Sequence, residues 1–249
     1  MTCLYVLGRI EEFYKRIETQ SGLDDENIKI AAISSFVADR FKKDTAHNFC
    51  KNPLDFLHFS NISSHVEDPN SYITEIVKDL RDIESIWEPS NQSVHKGFQS
   101  QINFLKNPSG NFISLKSIII NEIDSYFSKF KNESCSFIQK WPSEMNLSSW
   151  YVILKKQGYN FPHIHPAGWL SGVVYLKVVP SVGKNEGAIE FCLGGDHYSD
   201  VNSSKITYNP NMGVIVFFPS SLHHRTLPFS TDTDRIVVAF DLCPDTAKH

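Results

Sequence analysis

The sequence predicts a mainly β protein with a helical N-terminal half, in which a β-sandwich or barrel is braced by α-helices. Three observations predict it. Apolar residues recur at helical spacing as far as Trp141-Pro142. From Ser149 onward they gather into runs of five to nine residues, separated by glycine, proline and asparagine. Some of those runs lack the alternation of a strand with one wet face, so they need cover on both sides.

The elements follow in order. Between Gly8 and Lys43 the apolar positions are Ile10, Phe13, Tyr14 and Ile17, then Ile28, Ile30, Ile33, Phe36 and Val37, with a break at Gly22-Leu23-Asp24-Asp25. That pattern predicts a helical hairpin. Asn52-Pro53 opens a new unit, Tyr72 to Ile83 is amphipathic, and Phe112 to Phe130 sets Leu115, Ile119, Ile123, Tyr126 and Phe130 on one stripe of a bracing helix. The predicted strands are Trp150 to Leu154, Leu170 to Val179, Ala188 to Leu193, Val214 to Phe218 and Ile236 to Leu242, with turns at Pro180-Ser181-Val182-Gly183 and Asn209-Pro210-Asn211-Met212-Gly213. The chain divides into a helical extension over 1–50 and a larger unit over 51–249, made of helical support (51–141) and a β-barrel core (142–249).

Composition narrows the function. With 249 residues and 41% hydrophobic content the chain can fill a sizeable core, which excludes a disordered tail. Lysine and arginine number 24 against 28 acids, a net charge of -4, so no basic excess favours nucleic acid. No run approaches the roughly 18 apolar residues a membrane span needs. Met1 to Arg9 lacks the cationic start of an export signal. Cys3, Cys50, Cys135, Cys192 and Cys243 are odd in number and form no C-x-x-C pair, as expected of free thiols in a cytoplasmic protein.

Four of the ten histidines stand at two points of the β region, Pro162-His163-Ile164-His165-Pro166 and Leu222-His223-His224-Arg225. In an extended chain His163 and His165 point to one side and can reach one ion, and the flanking prolines favour that conformation. The other reading is a surface pair or two hydrogen-bonded structural histidines. His223 and His224 face opposite ways in a strand, so one joins the first pair and the other is expected at a solvated loop end. Arg235 opens a strand whose Ile236, Val238 and Phe240 line one face, while Arg235, Val237 and Ala239 line the other. A guanidinium buried there needs an anion, supplied either by Asp232, Asp234 or a glutamate, or by a ligand.

These residues resemble a known family. Gly158 to Leu176, with His163-Ile164-His165 followed by Leu170-Ser171-Gly172-Val173-Val174-Tyr175-Leu176, looks like the iron(II)/2-oxoglutarate-dependent oxygenases, and more distantly like their prolyl-hydroxylase-like branch. Further matches are Gly187-Ala188-Ile189-Glu190-Phe191, Phe218 to His224, Pro228 and Arg235 to Asp241; upstream, Trp87-Glu88-Pro89 and Gly97-Phe98-Gln99-Ser100 resemble the segment before the barrel. The resemblance covers roughly Asn52 to Pro244. It implies a double-stranded β-helix, a jelly-roll barrel, with Fe(II), 2-oxoglutarate and O2. It implies His163 as first ligand and His224, not His223, as the distal one. Arg235 would bind the far carboxylate of 2-oxoglutarate and Tyr175 would hydrogen-bond the same group, unless Tyr175 is an ordinary strand aromatic with its hydroxyl at the surface. The first fifty residues lie outside the match, as a repeat remnant or, more economically, a docking hairpin.

Two departures stand out. The family usually has an acid where His165 stands, so His165 either ligates, giving a three-histidine site, or leaves that place to water, an anion or a remote acid such as Asp196. Many relatives carry a serine where this chain has Val237, a lost hydrogen bond worth about 1 kcal/mol of cosubstrate affinity. The expected activity is hydroxylation with release of succinate and CO2. The rivals are a cupin-type three-histidine dioxygenase without 2-oxoglutarate and a noncatalytic metal-binding β-sandwich module. The substrate, small molecule or peptide, is not legible, and edge strands leave homo-oligomer formation open.

Overall fold

A computed structural model describes residues 1–180, 183–195 and 197–244. Six α-helices and ten strands are present among them: α1 (Thr2–Val6), α2 (Ile10–Ser21), α3 (Ile28–Phe41), β1 (His58–Asn61), α4 (Pro69–Asp79), β2 (Ser85–Trp87), β3 (Val94–Ser100), α5 (Asn111–Phe130), α6 (Ser136–Gln139), β4 (Leu147–His163), β5 (Leu170–Lys177), β6 (Ile189–Cys192), β7 (Lys205–Tyr208), β8 (Val214–Pro219), β9 (His223–Thr226) and β10 (Arg235–Leu242). No helix among the described residues is long and apolar enough to cross a membrane. Ser181 and Val182 of the predicted turn at 180–183 lie outside the described residues, as does Asp196.

Local chemistry sets the helix starts. The Asn27 side chain accepts from the Ile30 amide to cap α3, and Asp68 accepts from the Ser71 amide ahead of Pro69 to cap α4. In α5 the predicted stripe is buried, with Leu115, Ile119, Ile123 and Tyr126 fully covered.

Every strand pairing is antiparallel, and the sheet runs β1-β8-β5-β10-β4-β9-β6-β7, with β3 on the free side of β4 and β2 beyond it. The long strand β4 carries the curl. Its first part pairs with β10, β3 runs beside it from Val152 to Asn160, and its end turns to β9, where Asn160 faces Thr226 and His163 faces His224. The transfer needs irregular backbone: Gln157 sits at φ 63° and the β3–β4 register shifts after His95. Gly158 lies against that bend, where a Cβ would come 2.6 Å from the Lys155 carbonyl. The result is a curled antiparallel sheet of the double-stranded β-helix type, mainly β, with helices outside it.

The unalternating runs are covered on both faces, as expected. Ile215 and Phe217 of β8 join Val238 and Phe240 of β10 in a core with Leu115, Ile119 and Ile123 of α5. Val216 and Phe218 turn to the other core, shared with Val173, Tyr175, Phe191 and Val237, and here α2 and α3 insert Phe13, Ile17, Ile33, Phe36 and Val37.

The clean change from helix to strand near Trp141 is corrected: β1, β2 and β3 fall in the first half. Their sequences explain the miss. β3 reads Val-His-Lys-Gly-Phe-Gln-Ser and has no apolar run, because one of its faces meets a polar cavity. β1 and β2 span only four and three residues.

Candidate metal centre

Strand β4 ends on His163, and the turn after it brings His165 back beside the sheet, where the His165 amide donates to the Ser220 carbonyl at 3.0 Å. β9 delivers His224 directly opposite His163. The three rings lie 4.3 to 5.2 Å apart by centroid, and one ligand-capable atom from each falls within 4.8 Å of the others. So the structure brings together the two histidines of the H-x-H and one of the His223-His224 pair.

The rings are also set in one tautomer. Each Nδ1 has an oxygen acceptor: Phe161 O at 2.7 Å for His163, Leu222 O at 3.2 Å for His224, and Asp241 Oδ1 at 2.7 Å for His165. An Nδ1–H donating outward leaves Nε2 with a lone pair. The Ser93 hydroxyl, 3.2 Å from His163 Nε2, is placed to donate to that lone pair. Burial, reinforced by the neighbouring imidazoles, pushes His163 down to about 3 and His224 well below the usual histidine range. Both rings are therefore neutral near pH 7, the state a metal requires of imidazole.

His223 corrects an expectation. It is not at a solvated loop end but buried, 7% exposed, with its ring perpendicular to Tyr198 at 5.4 Å and with Gly195 so close that a Cβ there would fall 2.2 Å from its Nε2.

Arg235 lies in the same cavity as the three rings, which measures about 560 Å³. It is 2% exposed, its Nε donates to the Gly187 carbonyl at 3.1 Å, and its guanidinium carbon stands 5.0 Å from the Tyr175 ring. None of the acids among the described residues forms an ion pair with it. The two nearest in sequence are engaged elsewhere, Asp234 by Lys155 at 2.8 Å and Asp232 by Lys156 at 3.2 Å. Tyr175 is fully buried, which removes the surface-hydroxyl reading. Its hydroxyl, influenced electrostatically by Arg235, has no hydrogen-bond partner of good geometry, and burial pushes its pKa up to about 12. A buried cation and an orphaned hydroxyl in one cavity form a cradle for an anion from outside. Val237, with Val173, Ile189 and Ala239, gives the same cavity apolar wall.

Sequence reasoning missed Asp241, Ser171 and Ser220. The alternation that sets Arg235, Val237 and Ala239 on one face of β10 also sets Asp241 there, and a serine inside the apolar Leu170 run was the other available signal.

Residues 148–241, which contain the three histidines, Arg235 and Tyr175, match a family described as "Putative 2OG-Fe(II) oxygenase". No curated protein sequence matches the chain. A Pseudomonas putida prolyl-4-hydroxylase superposes with a TM-score of 0.52 at 11% identity, covering 76% of this chain and 93% of that one. A Trichoplax adhaerens prolyl hydroxylase, in complex with a hypoxia inducible factor peptide fragment, gives 0.51 at 11% identity over 86% and 90%. HygX from Streptomyces hygroscopicus, with nickel and 2-oxoglutarate bound, gives 0.50 at 11% identity over 76% and 83%. At such identities the superpositions speak for the fold. Residues 148–241 are thus similar in sequence to that family, and the superpositions show its fold over most of the chain.

Proposed function

We propose that the chain is a hydroxylase in which Nε2 of His163, His165 and His224 hold Fe(II) and Arg235 with Tyr175 holds the far carboxylate of 2-oxoglutarate. The observation that carries this reading is a guanidinium buried without an acid of its own, in one cavity with three converging imidazole lone pairs. Three protein ligands would leave room at the ion for a chelating keto acid and for O2. When bound, the iron supplies the redox chemistry by which one O2 converts 2-oxoglutarate to succinate and CO2 and a substrate C–H to C–OH.

The chain's own residues do the rest. Arg235 offers charge-assisted hydrogen bonds from a fixed strand position, and Tyr175, retaining its proton, donates a further one. Together they aim the keto acid end at the histidines. Val173, Ile189, Val237 and Ala239 give that cavity an apolar wall that limits water. The cavity is also lined by neutral polar side chains, including Asn91, Gln92, Gln99, Gln101 and Asn103, together with Trp150. It suits a substrate presenting uncharged hydrogen-bonding groups near the target carbon.

Anaerobic addition of Fe(II) and 2-oxoglutarate is expected to give the weak visible charge-transfer band of a chelated keto acid; folded protein that stays colourless overturns the reading. Arg235→Ala is expected to raise the 2-oxoglutarate requirement at least tenfold with metal content unchanged, and equal loss of both would mark a structural arginine instead. A three-histidine dioxygenase without keto acid remains the rival, and substrate oxidation without succinate would establish it.

A further inference from the structure

The cavity that would take the metal has three imidazoles and, among the described residues lining it, a single acidic side chain, Asp241. Asp241 is 7% exposed and stands on β10, held between Ser148 of β4 and Ser171 of β5 in the two ladders. Its Oδ1 accepts from His165 Nδ1 at 2.7 Å and from the Ser171 hydroxyl at 2.7 Å. Ser171 accepts in turn from Ser220 at 2.8 Å, and both serines are fully buried. The site is close-fitted: a Cβ at Gly168 would come 2.6 Å from Ser220 Oγ and 2.9 Å from Asp241 Cγ. Trp150 abuts the His165 ring edge to face at 5.3 Å. His163 and His224, by contrast, donate Nδ1–H to backbone carbonyls, which carry no charge.

We propose that Asp241 is a positioning residue that fixes His165 with Nε2 toward the metal and returns, through the imidazole, the negative charge that a ligating carboxylate at position 165 would have supplied directly. This rests on the Fe(II) reading above. A carboxylate behind a ligating imidazole sets its tautomer and raises its basicity, and its loss typically weakens metal binding 10- to 100-fold. Anchoring on a central strand with two buried serines keeps Asp241 from swinging in to ligate.

The test is a double-mutant cycle read by anaerobic calorimetric titration of the apoprotein with Fe(II), repeated with Co(II), whose d–d spectrum reports on the ligand field. Asp241→Asn, nearly isosteric, is expected to lower affinity about 10- to 100-fold, with the thermal transition of the apoprotein retained. Ser171→Ala, which leaves the charge and removes one support, is expected to cause a smaller loss in the same direction. In a His165→Asp background the imidazole through which Asp241 acts is gone, so adding Asp241→Asn is expected to change affinity by less than about threefold. A structural role would lower affinity by the same factor in both backgrounds, and that result, or unchanged affinity of Asp241→Asn and Ser171→Ala beside the wild type, overturns the inference while leaving the Fe(II) site standing. Failure of the wild type itself to bind either metal overturns both.

Discussion

His223 and His224 are neighbours in one short strand, equally buried at 7% and 6% exposure, and they have little else in common. The pleat sends His224 into the cavity, where two further imidazoles and an outward Nδ1–H acceptor await it. It sends His223 the other way, under Tyr198, with Nδ1 buried and unpartnered. Burial lowers both pKa values, alone for His223, to about 4, and reinforced by the neighbouring imidazoles for His224, which goes further. A depressed histidine pKa is therefore no mark of a ligand; convergence of lone pairs is.

The largest contrast is in metal binding. His224→Ala is expected to abolish Fe(II) and Co(II) binding, while His223→Gln keeps affinity within about a factor of two; comparable loss in both, measured by titration of folded protein, would erase the distinction. Acid comes next. In the unfolded chain both His163 and His223 titrate near 6.5, but in the fold they resist protonation down to about 3 and about 4. The unfolded state binds more protons in that window, so stability of the apoprotein falls as pH drops below about 6.5, by up to about 1.4 kcal/mol per unit for each histidine. Denaturant titrations from pH 7 to 4 should show that slope reduced in His223→Gln. A flat profile would mean that the rings are hydrated. The smallest effect tests the outer pocket: Gly195→Ala drives a methyl into His223 and should cost about 1–3 kcal/mol with metal affinity unchanged.

The same pair shows what the sequence discloses. Period-two alternation was enough to separate His223 from His224, because side-chain direction in a strand is local, whereas His165 joins His163 from the turn that follows β4. The burial of His223 was not legible, since its cover comes from Tyr198, which packs in turn on Tyr5 and Phe36, far away in the chain. Arg235 was legible as a buried cation, but not as an unpaired one, since Asp232 and Asp234 stood within three residues of it. Asp241 shared its face by simple alternation; its hydrogen bond to His165 depended on how β10 lies between β4 and β5. β3 went unseen because Gln99 and Ser100 face a polar cavity and only Val94 joins a core, so it carries no apolar run.

Lys155 and Lys156 pair with Asp234 and Asp232 and so engage the two carboxylates nearest the arginine in sequence. As half-exposed pairs they add little to stability. On the function proposed above their worth is as decoys: they hold those acids at the outer surface, away from the arginine, and a change there, remote from any chemistry, would surface as self-inhibition.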